Sequence, residues 1–186
     1  AKGFVLVRQG SVAVVAPRLR WHVLDPVFLS VNTGEDFFEL LQEARELLEP
    51  RLAALAAERA IPEILDELTE LNEALAAHQE SPEEHAALDV AFHEAIAKAT
   101  DNAVLVSLHA SISGLGWRTR YASAAIPGAI DRAVRWHREI VAAVRAKDPV
   151  WASAAMDLHL RQVREELERI DPRILNHVDQ EEAEEE

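Results

Sequence analysis

Residues 81–100 read Ser-Pro-Glu-Glu-His-Ala-Ala-Leu-Asp-Val-Ala-Phe-His-Glu-Ala-Ile-Ala-Lys-Ala-Thr, and the fold is decided there. Ser81 is an N-cap residue, and Pro82 suits the first helical position, where a missing N–H costs no hydrogen bond. Glu84, three residues after Ser81, closes a capping box. From that start Leu88, Phe92, Ala95, Ile96 and Ala99 recur at three- and four-residue spacing, the stripe of a helix with one buried face. At the edge of the stripe Asp89 and His93 stand one turn apart. Their Cβ atoms are then about 5–6 Å from each other, close enough for both side chains to reach one ion.

The same signals place five more helices. One runs from about Glu35 to Ala60, with Phe38, Leu41, Leu48, Leu52 and Leu55 inward and a bend expected at Pro50. A second starts near Pro62 and carries Ile64, Leu65, Leu68, Leu71 and Leu75. After the punctuation of Asp101 and Asn102, a fourth continues through Val104, Leu105, Leu108, Ile112 and Leu115. Pro127 opens a fifth, and Asp148 with Pro149 opens a sixth by the N-cap logic of Ser81. Before residue 33 the pattern differs. Phe4–Val7 and Val12–Val15 flank Arg8-Gln9-Gly10-Ser11 and read as two short β-runs around a turn. Two strands alone are not stable, so they belong to something larger or form an arm that packs on the helical body. The segment from Pro17 to Thr33 joins them to it. The last residues, Asp179 to Glu186, are almost wholly acidic and read as a solvated, disordered end.

Composition narrows the function classes. The 186 residues are 49% apolar, enough for one domain with a real core. A formal charge of −14 opposes binding of a phosphate backbone by this chain itself. With no cysteine there is no disulfide framework and no thiolate metal site, so a metal would need histidine and carboxylate ligands. No run approaches the roughly 18 apolar residues of a membrane span, and the N-terminus lacks a signal-peptide layout. A cytoplasmic protein without membrane contact is the expectation.

Two further histidines complete a constellation. His137 falls where Ile130, Val134, Ile140, Val141 and Val144 mark the inner face of the fifth helix, and Ala155, Met156, Leu160 and Val163 do the same for His159 on the sixth. Four polar groups on three inward faces are costly to bury unpaired, and a divalent cation satisfies them together. The alternative is a set of hydrogen-bonded core histidines without an ion, the commoner situation for any one histidine on an apolar face. His85 and His109 rank lower as ligands. His85 lies in the first turn of its helix, where exposure is expected, and His109 has no carboxylate partner in its own helix. His22, His78 and His177 read as surface or linker residues.

Beyond these residues the chain resembles a family. Glu43-Ala44-Arg45-Glu46-Leu47-Leu48-Glu49-Pro50, followed by Leu55-Ala56-Ala57-Glu58-Arg59-Ala60, is similar to the opening helix of the effector-binding (FCD) domain in the FadR subfamily of GntR transcriptional regulators. Asp89-Val90-Ala91-Phe92-His93 with Ala99-Thr100-Asp101-Asn102 resembles that family's central motif, and His137 with Asp148 and Met156-Asp157-Leu158-His159-Leu160 resembles its closing helices. The resemblance covers about residues 33–170, with four motifs in order.

The resemblance implies an antiparallel all-α bundle of about six to seven helices, here with a short N-terminal β-like arm. It implies Asp89, His93, His137 and His159 as metal ligands, the four already chosen from the pattern, and a cavity where a small organic acid completes the coordination. It gives Arg45 the role of holding a carboxylate, the alternative being a surface salt bridge with Glu49 one turn on. Arg118 and Arg120, after Gly114 and Gly116 on the fourth helix, match more loosely as effector contacts. Imidazole and carboxylate donors suit zinc, nickel, manganese or iron, with zinc the first expectation. Lys2-Gly3-Phe4-Val5 resembles a wing, and Arg20-Trp21-His22-Val23-Leu24-Asp25-Pro26 resembles the linker of relatives responding to sugar acids. The expected organisation is thus wing remnant and linker over 1–32, effector-binding and dimerisation domain over 33–175, and acidic tail over 176–186. A truncated regulator, a proteolytic fragment and a stand-alone sensor all fit, each a homodimer meeting DNA only through a winged-helix domain absent from this chain.

The function expected is ligand sensing for transcription, not catalysis. The rival is a metal-dependent hydrolase using the same Asp/His₃ site, since an open metal position activates water. Against it, no further Glu or Asp is expected on an inward stripe near the four ligands. Glu94 follows His93 directly, and adjacent helix positions point about 100° apart.

Overall fold

The computed structural model describes residues 2–7, 9–10, 12–17, 20–25, 28, 35–77, 81–113 and 117–169, with the side chains of 35–38 and 118 outside that description. Two compact units divide the chain, Ala1–Thr33 and Gly34–Glu186. In the first, β1 (Val5–Leu6) pairs antiparallel with β2 (Val14–Val15) in the register Val5↔Val15 and Leu6↔Val14. Strands this short hold only with help from side chains. Phe4, Trp21 and Phe28 supply it, with ring centroids 5.3–5.7 Å apart, and the Trp21 indole N–H donates to the Ala16 carbonyl at 2.8 Å. Gly3 has φ +77°, and a Cβ there would stand 2.0 Å from the Arg20 carbonyl oxygen, so this close approach requires glycine.

The second unit is an all-α bundle. Its described helices are α1 (Glu35–Arg59), α2 (Pro62–Ala77), α3 (Pro82–Lys98), α4 (Ala103–Ser113), α5 (Trp117–Ala124), α6 (Ala129–Arg145) and α7 (Pro149–Leu167). The two end signals expected to be strongest hold at atomic detail. Ser81 accepts from the Glu84 N–H at 3.2 Å, and Asp148 accepts from Val150 and Trp151 N–H at 3.0 and 2.9 Å with Pro149 behind it. Each bond satisfies a donor that the helix start leaves without an intrahelical partner. Pro50 lies inside α1.

Two boundaries differ from the sequence reading. The expected fourth helix is two, because α4 ends at Ser113 and α5 begins at Trp117, so Arg120 projects from a separate short helix. The fifth expected helix starts at Ala129, not at Pro127. Gly128 is its N-cap in the left-handed region at φ 75°. The chain leaves α5 in successive turns, Ile126 N–H to the Ser123 carbonyl at 3.0 Å and Ala129 N–H to the Ile126 carbonyl at 3.0 Å, and Pro127 occupies a turn position where no N–H is needed.

Helix α1 packs along α7, α6 packs on α7, and α3 is covered by α2 on one side and α5 on another. Leu52, Ala56, Leu68, Leu75, Phe92, Ile96, Ile140, Met156 and Leu160 meet in one buried cluster. Alanines are frequent in this cluster (Ala53, Ala56, Ala57, Ala95, Ala143, Ala152, Ala155), and their small side chains leave room for large polar ones such as Arg45 in the interior. Polar clamps set the register of α1 on α7: Arg164 grips Glu46 with two bonds of 2.7 Å, and Gln42 donates to the Leu160 carbonyl at 3.1 Å. Residues 170–186, and with them the acidic tail and His177, lie outside the described residues.

Candidate metal centre

Two helices, α6 and α7, aim one group each, and α3 aims two. Asp89 and His93 on α3, His137 on α6 and His159 on α7 are all buried, and one ligand atom from each lies within 4.8 Å of the others. The imidazoles meet through the same nitrogen. His159 Nε2 is 3.2 Å from His137 Nε2 and 3.3 Å from His93 Nε2, while Asp89 places Oδ1 3.3 Å from His137 Nε2 and Oδ2 3.7 Å from His93 Nε2. Lone pairs of three neutral imidazoles repel at such distances unless a proton or a cation lies between them. Three nitrogens and a carboxylate oxygen converging on one point form the donor set of a borderline divalent ion with a further position open. The residues therefore fit a metal.

Packing holds the rings. Phe92 lies flat against His137, with centroids 4.2 Å apart and 20° between planes, and edge-on to His93 at 5.8 Å. His93 stacks on His159 at 5.3 Å. The apolar stripe of α3 thus serves the site directly.

Electrostatics holds Asp89, His137 and His159 in the state a cation would need. Burial pushes His137 down to about 3, and burial, then the neighbouring imidazoles His137 and His93, hold His159 well below its ordinary value. Burial alone would raise Asp89, but His93, Arg120 and His137 outweigh it and hold the carboxyl well below the usual range. His109, also buried, is pushed down to about 4. A depressed histidine means that the unfolded chain, titrating near 6.5, binds the proton first. Stability therefore rises with pH between the folded and unfolded values. The metal-free protein is expected to lose about 1 kcal/mol per pH unit for each of His109 and His137 as pH falls from about 6.5 towards 4. Urea midpoints at pH 7, 6 and 5 measure this, and equal midpoints would refute it.

Around the four residues the structure departs from the sequence reading in three places. His85, expected to be exposed, is 4% exposed; α5 packs on α3, and Arg120, Ser123 and Ala124 of α5 line one small cavity with His85 beside the site. Glu49, read only as a surface partner for Arg45, is 1% exposed, so a further carboxylate does sit on an inward stripe. Its Oε2 is 2.6 Å from His93 Nδ1 and its Oε1 3.8 Å from His109 Nε2, which gives His109 a carboxylate neighbour from another helix. Burial would raise Glu49, yet Arg45 and then His93 hold it well below the usual carboxylate range. The signal was present in the spacing: Glu49 stands four after Arg45 and three before Leu52, inside the apolar stripe of α1.

Arg45 is likewise 1% exposed, so the salt bridge with Glu49 exists but is no surface pair. Its Nε donates to Glu49 Oε1 at 2.7 Å, Nη2 to Oε2 at 3.5 Å, and Nη1 to Gln42 at 3.3 Å. Arg120, on α5, donates from Nε to Asp89 Oδ2 at 2.5 Å and from Nη1 to the Ser113 carbonyl at 3.4 Å. Its Nη2 is buried and has no hydrogen-bond partner among the described residues. Arg45, His85, Asp89, Arg120, Ser123 and His159 share the wall of a cavity of about 20 Å³. The Arg118 side chain lies outside the described residues.

Fold and site together define an all-α domain built around a buried Asp/His₃ cluster. The chain belongs to the FCD domain family, which matches residues 40–162. It is 34% identical to the galactonate operon transcriptional repressor of Escherichia coli K12 over 120 residues, 62% of this chain and 52% of that protein. Across 180 residues it is 31% identical to the Uxu operon transcriptional regulator of the same organism, 89% of this chain and 67% of that protein. Among solved structures, Streptococcus agalactiae GntR superposes with TM-score 0.63 at 32% identity, covering 88% of this chain and 75% of that one. The chain spans about half the length of the galactonate relative. These relatives are transcriptional regulators, which gives the hydrolase reading no support. No described helix is long and apolar enough to cross a membrane.

Proposed function

We propose that this chain is the ligand-sensing domain of a FadR-type GntR transcriptional regulator, in which a divalent metal held by Asp89, His93, His137 and His159 captures a small organic acid. Convergence of three Nε2 atoms and one carboxylate carries the reading. Charge supports the acid. With metal-bound imidazoles neutral, Arg45 and Arg120 balance Glu49 and Asp89, so a divalent cation adds two buried positive charges that an anionic ligand offsets. The unpartnered Nη2 of Arg120 faces the same problem and has the same remedy, a carboxylate oxygen. Arg45 lines the cavity wall and adds positive potential, and Arg118, on the same short helix as Arg120, completes the effector set. Zinc is the ion this donor set suits first, with nickel, manganese and iron as alternatives.

A cavity of about 20 Å³ has room for about one water, so an acid of several carbons enters only if a wall yields. Helix α5 is that wall. Polar contacts hold it, Arg120 to Asp89 and Ser123 to Glu166 at 2.9 Å, and its buried residues are otherwise small. An acid that draws Arg120 from Asp89 shifts α5, and in a homodimer such a shift alters the spacing of the winged-helix domains of the whole protein, which meet DNA in the cytoplasm. Sugar acids such as the galactonate in one relative's name are the first effectors to try.

Thermal melts of zinc-loaded and chelated protein against a panel of two- to six-carbon hydroxy acids test this. An effector at 100 times its Kd is expected to raise Tm by roughly 5–10 °C with zinc, and not at all after chelation. A binder indifferent to chelation would overturn the metal's role.

A further inference from the structure

The four ligands account for the Nε2 side of the cluster and leave its far side unexplained. A histidine offers a lone pair to a metal only from the nitrogen without a proton, and the tautomer is set by what the other nitrogen meets. None of the three Nδ1 atoms meets the full geometry of a hydrogen bond among the described residues, and those of His137 and His159 enter no ion pair there. His93 differs. Its Nδ1 stands 2.6 Å from Glu49 Oε2, a separation that requires a proton between nitrogen and oxygen, even though the N–H is not well aligned with the carboxylate. Glu49 is in turn gripped by Arg45 through Nε and Nη2, and Arg45 by Gln42. Glu49, Arg45 and the His93 side chain are each no more than 1% exposed.

We infer that Glu49 is the positioning residue of the metal centre: its carboxylate accepts from the Nδ1–H of His93 and so keeps the proton on Nδ1, which leaves the Nε2 lone pair for the ion, and Arg45 holds that carboxylate in place. The inference rests on the proposed metal reading and extends it to a helix, α1, that supplies none of the four ligands. Glu49 is not a fifth ligand, since an oxygen bonded to Nδ1 lies across the ring from Nε2. Arg45 also changes role. Its guanidinium is committed to Glu49 and Gln42, so the free edge for a carboxylate belongs to Arg120.

Two readouts test the inference on the full chain. Long-range ¹H–¹⁵N spectra of metal-free protein report the His93 tautomer, and competition with a chromophoric chelator reports zinc affinity. Wild type is expected to hold the Nδ1–H tautomer. Glu49→Gln, whose amide oxygen still accepts, is expected to keep that tautomer and lose less than about tenfold in zinc affinity. Glu49→Leu is expected to mix the tautomers and lose roughly 10- to 100-fold. Because Glu49→Leu leaves the Arg45 guanidinium buried without its carboxylate, the double variant Arg45→Met/Glu49→Leu removes both charges, and it is expected to show the same mixed tautomers and weakened affinity. A folded double variant that binds zinc within about twofold of wild type, or an Nε2–H tautomer at His93 in wild type, would overturn the role of Glu49. Absence of zinc binding by wild type with the Nδ1–H tautomer present would remove the metal reading and leave Glu49 as the group that orients His93.

Discussion

His137→Ala is expected to remove the rise in Tm that zinc gives the wild-type protein, with zinc affinity reduced by more than about 100-fold, beyond the loss typical of an outer partner. The reason is geometric. His137 Nε2 stands 3.3 Å from Asp89 Oδ1 and 3.2 Å from His159 Nε2, so its loss leaves three donors on two helices and an ion open on the α6 side. In metal-free protein the two effects of the change oppose each other. Truncating a fully buried ring leaves a cavity, which destabilises, but it also removes an imidazole whose burial depresses its pKa to about 3. Stability of the metal-free variant should therefore fall by less than for an apolar ring of similar size, and the difference should shrink further as pH drops. Melts with and without zinc at pH 7 separate the two effects. Equal zinc-induced shifts in variant and wild type would rule out His137 as a ligand.

Phe92→Ala should be the most damaging single change for the fold, at about 3–5 kcal/mol by urea denaturation. Phe92 is fully buried in the cluster that joins α1, α2, α3, α6 and α7, and it backs His137 from a centroid distance of 4.2 Å. No charge or hydrogen bond offsets its removal. Phe92→Leu keeps most of the volume and should cost about 1.5 kcal/mol or less. It should still lower zinc affinity, because a leucine does not present a flat face to hold the His137 ring. A Phe92→Ala loss below about 1 kcal/mol would show that the ring is not what the core is packed around.

Much of this was legible in the chain because it is local. The Ser81 and Asp148 caps each depend on residues within three positions, and both appear with the expected donors. Where a boundary depended on what came before it, reading failed: Pro127 is a helix-start residue in isolation, but the turns leaving α5 place it ahead of Gly128. The inward placement of His93, His137 and His159 followed from periodicity, since apolar neighbours at helical spacing set which face is buried.

Glu49 and His85 show the limit of that reasoning. Both are polar and both occupy buried positions; spacing put Glu49 in the apolar stripe of α1 but did not exclude a surface pair with Arg45, and it put His85 in a first turn open to solvent. A salt bridge between Arg45 and Glu49 is the same i, i+4 pair on a surface or in a core, and its cost and consequence differ only through the surroundings. By itself the sequence determined that the chain forms helices with an Asp/His₃ set on their inner faces, because helix periodicity and capping are properties of neighbours in the chain. Tertiary structure alone decided that the three imidazoles meet through Nε2, that a carboxylate from α1 stands behind one of them, and that Arg120 instead of Arg45 has a guanidinium edge to spare. Those outcomes depend on how helices far apart in sequence pack, which sets buried charged groups within hydrogen-bond distance where water does not compete.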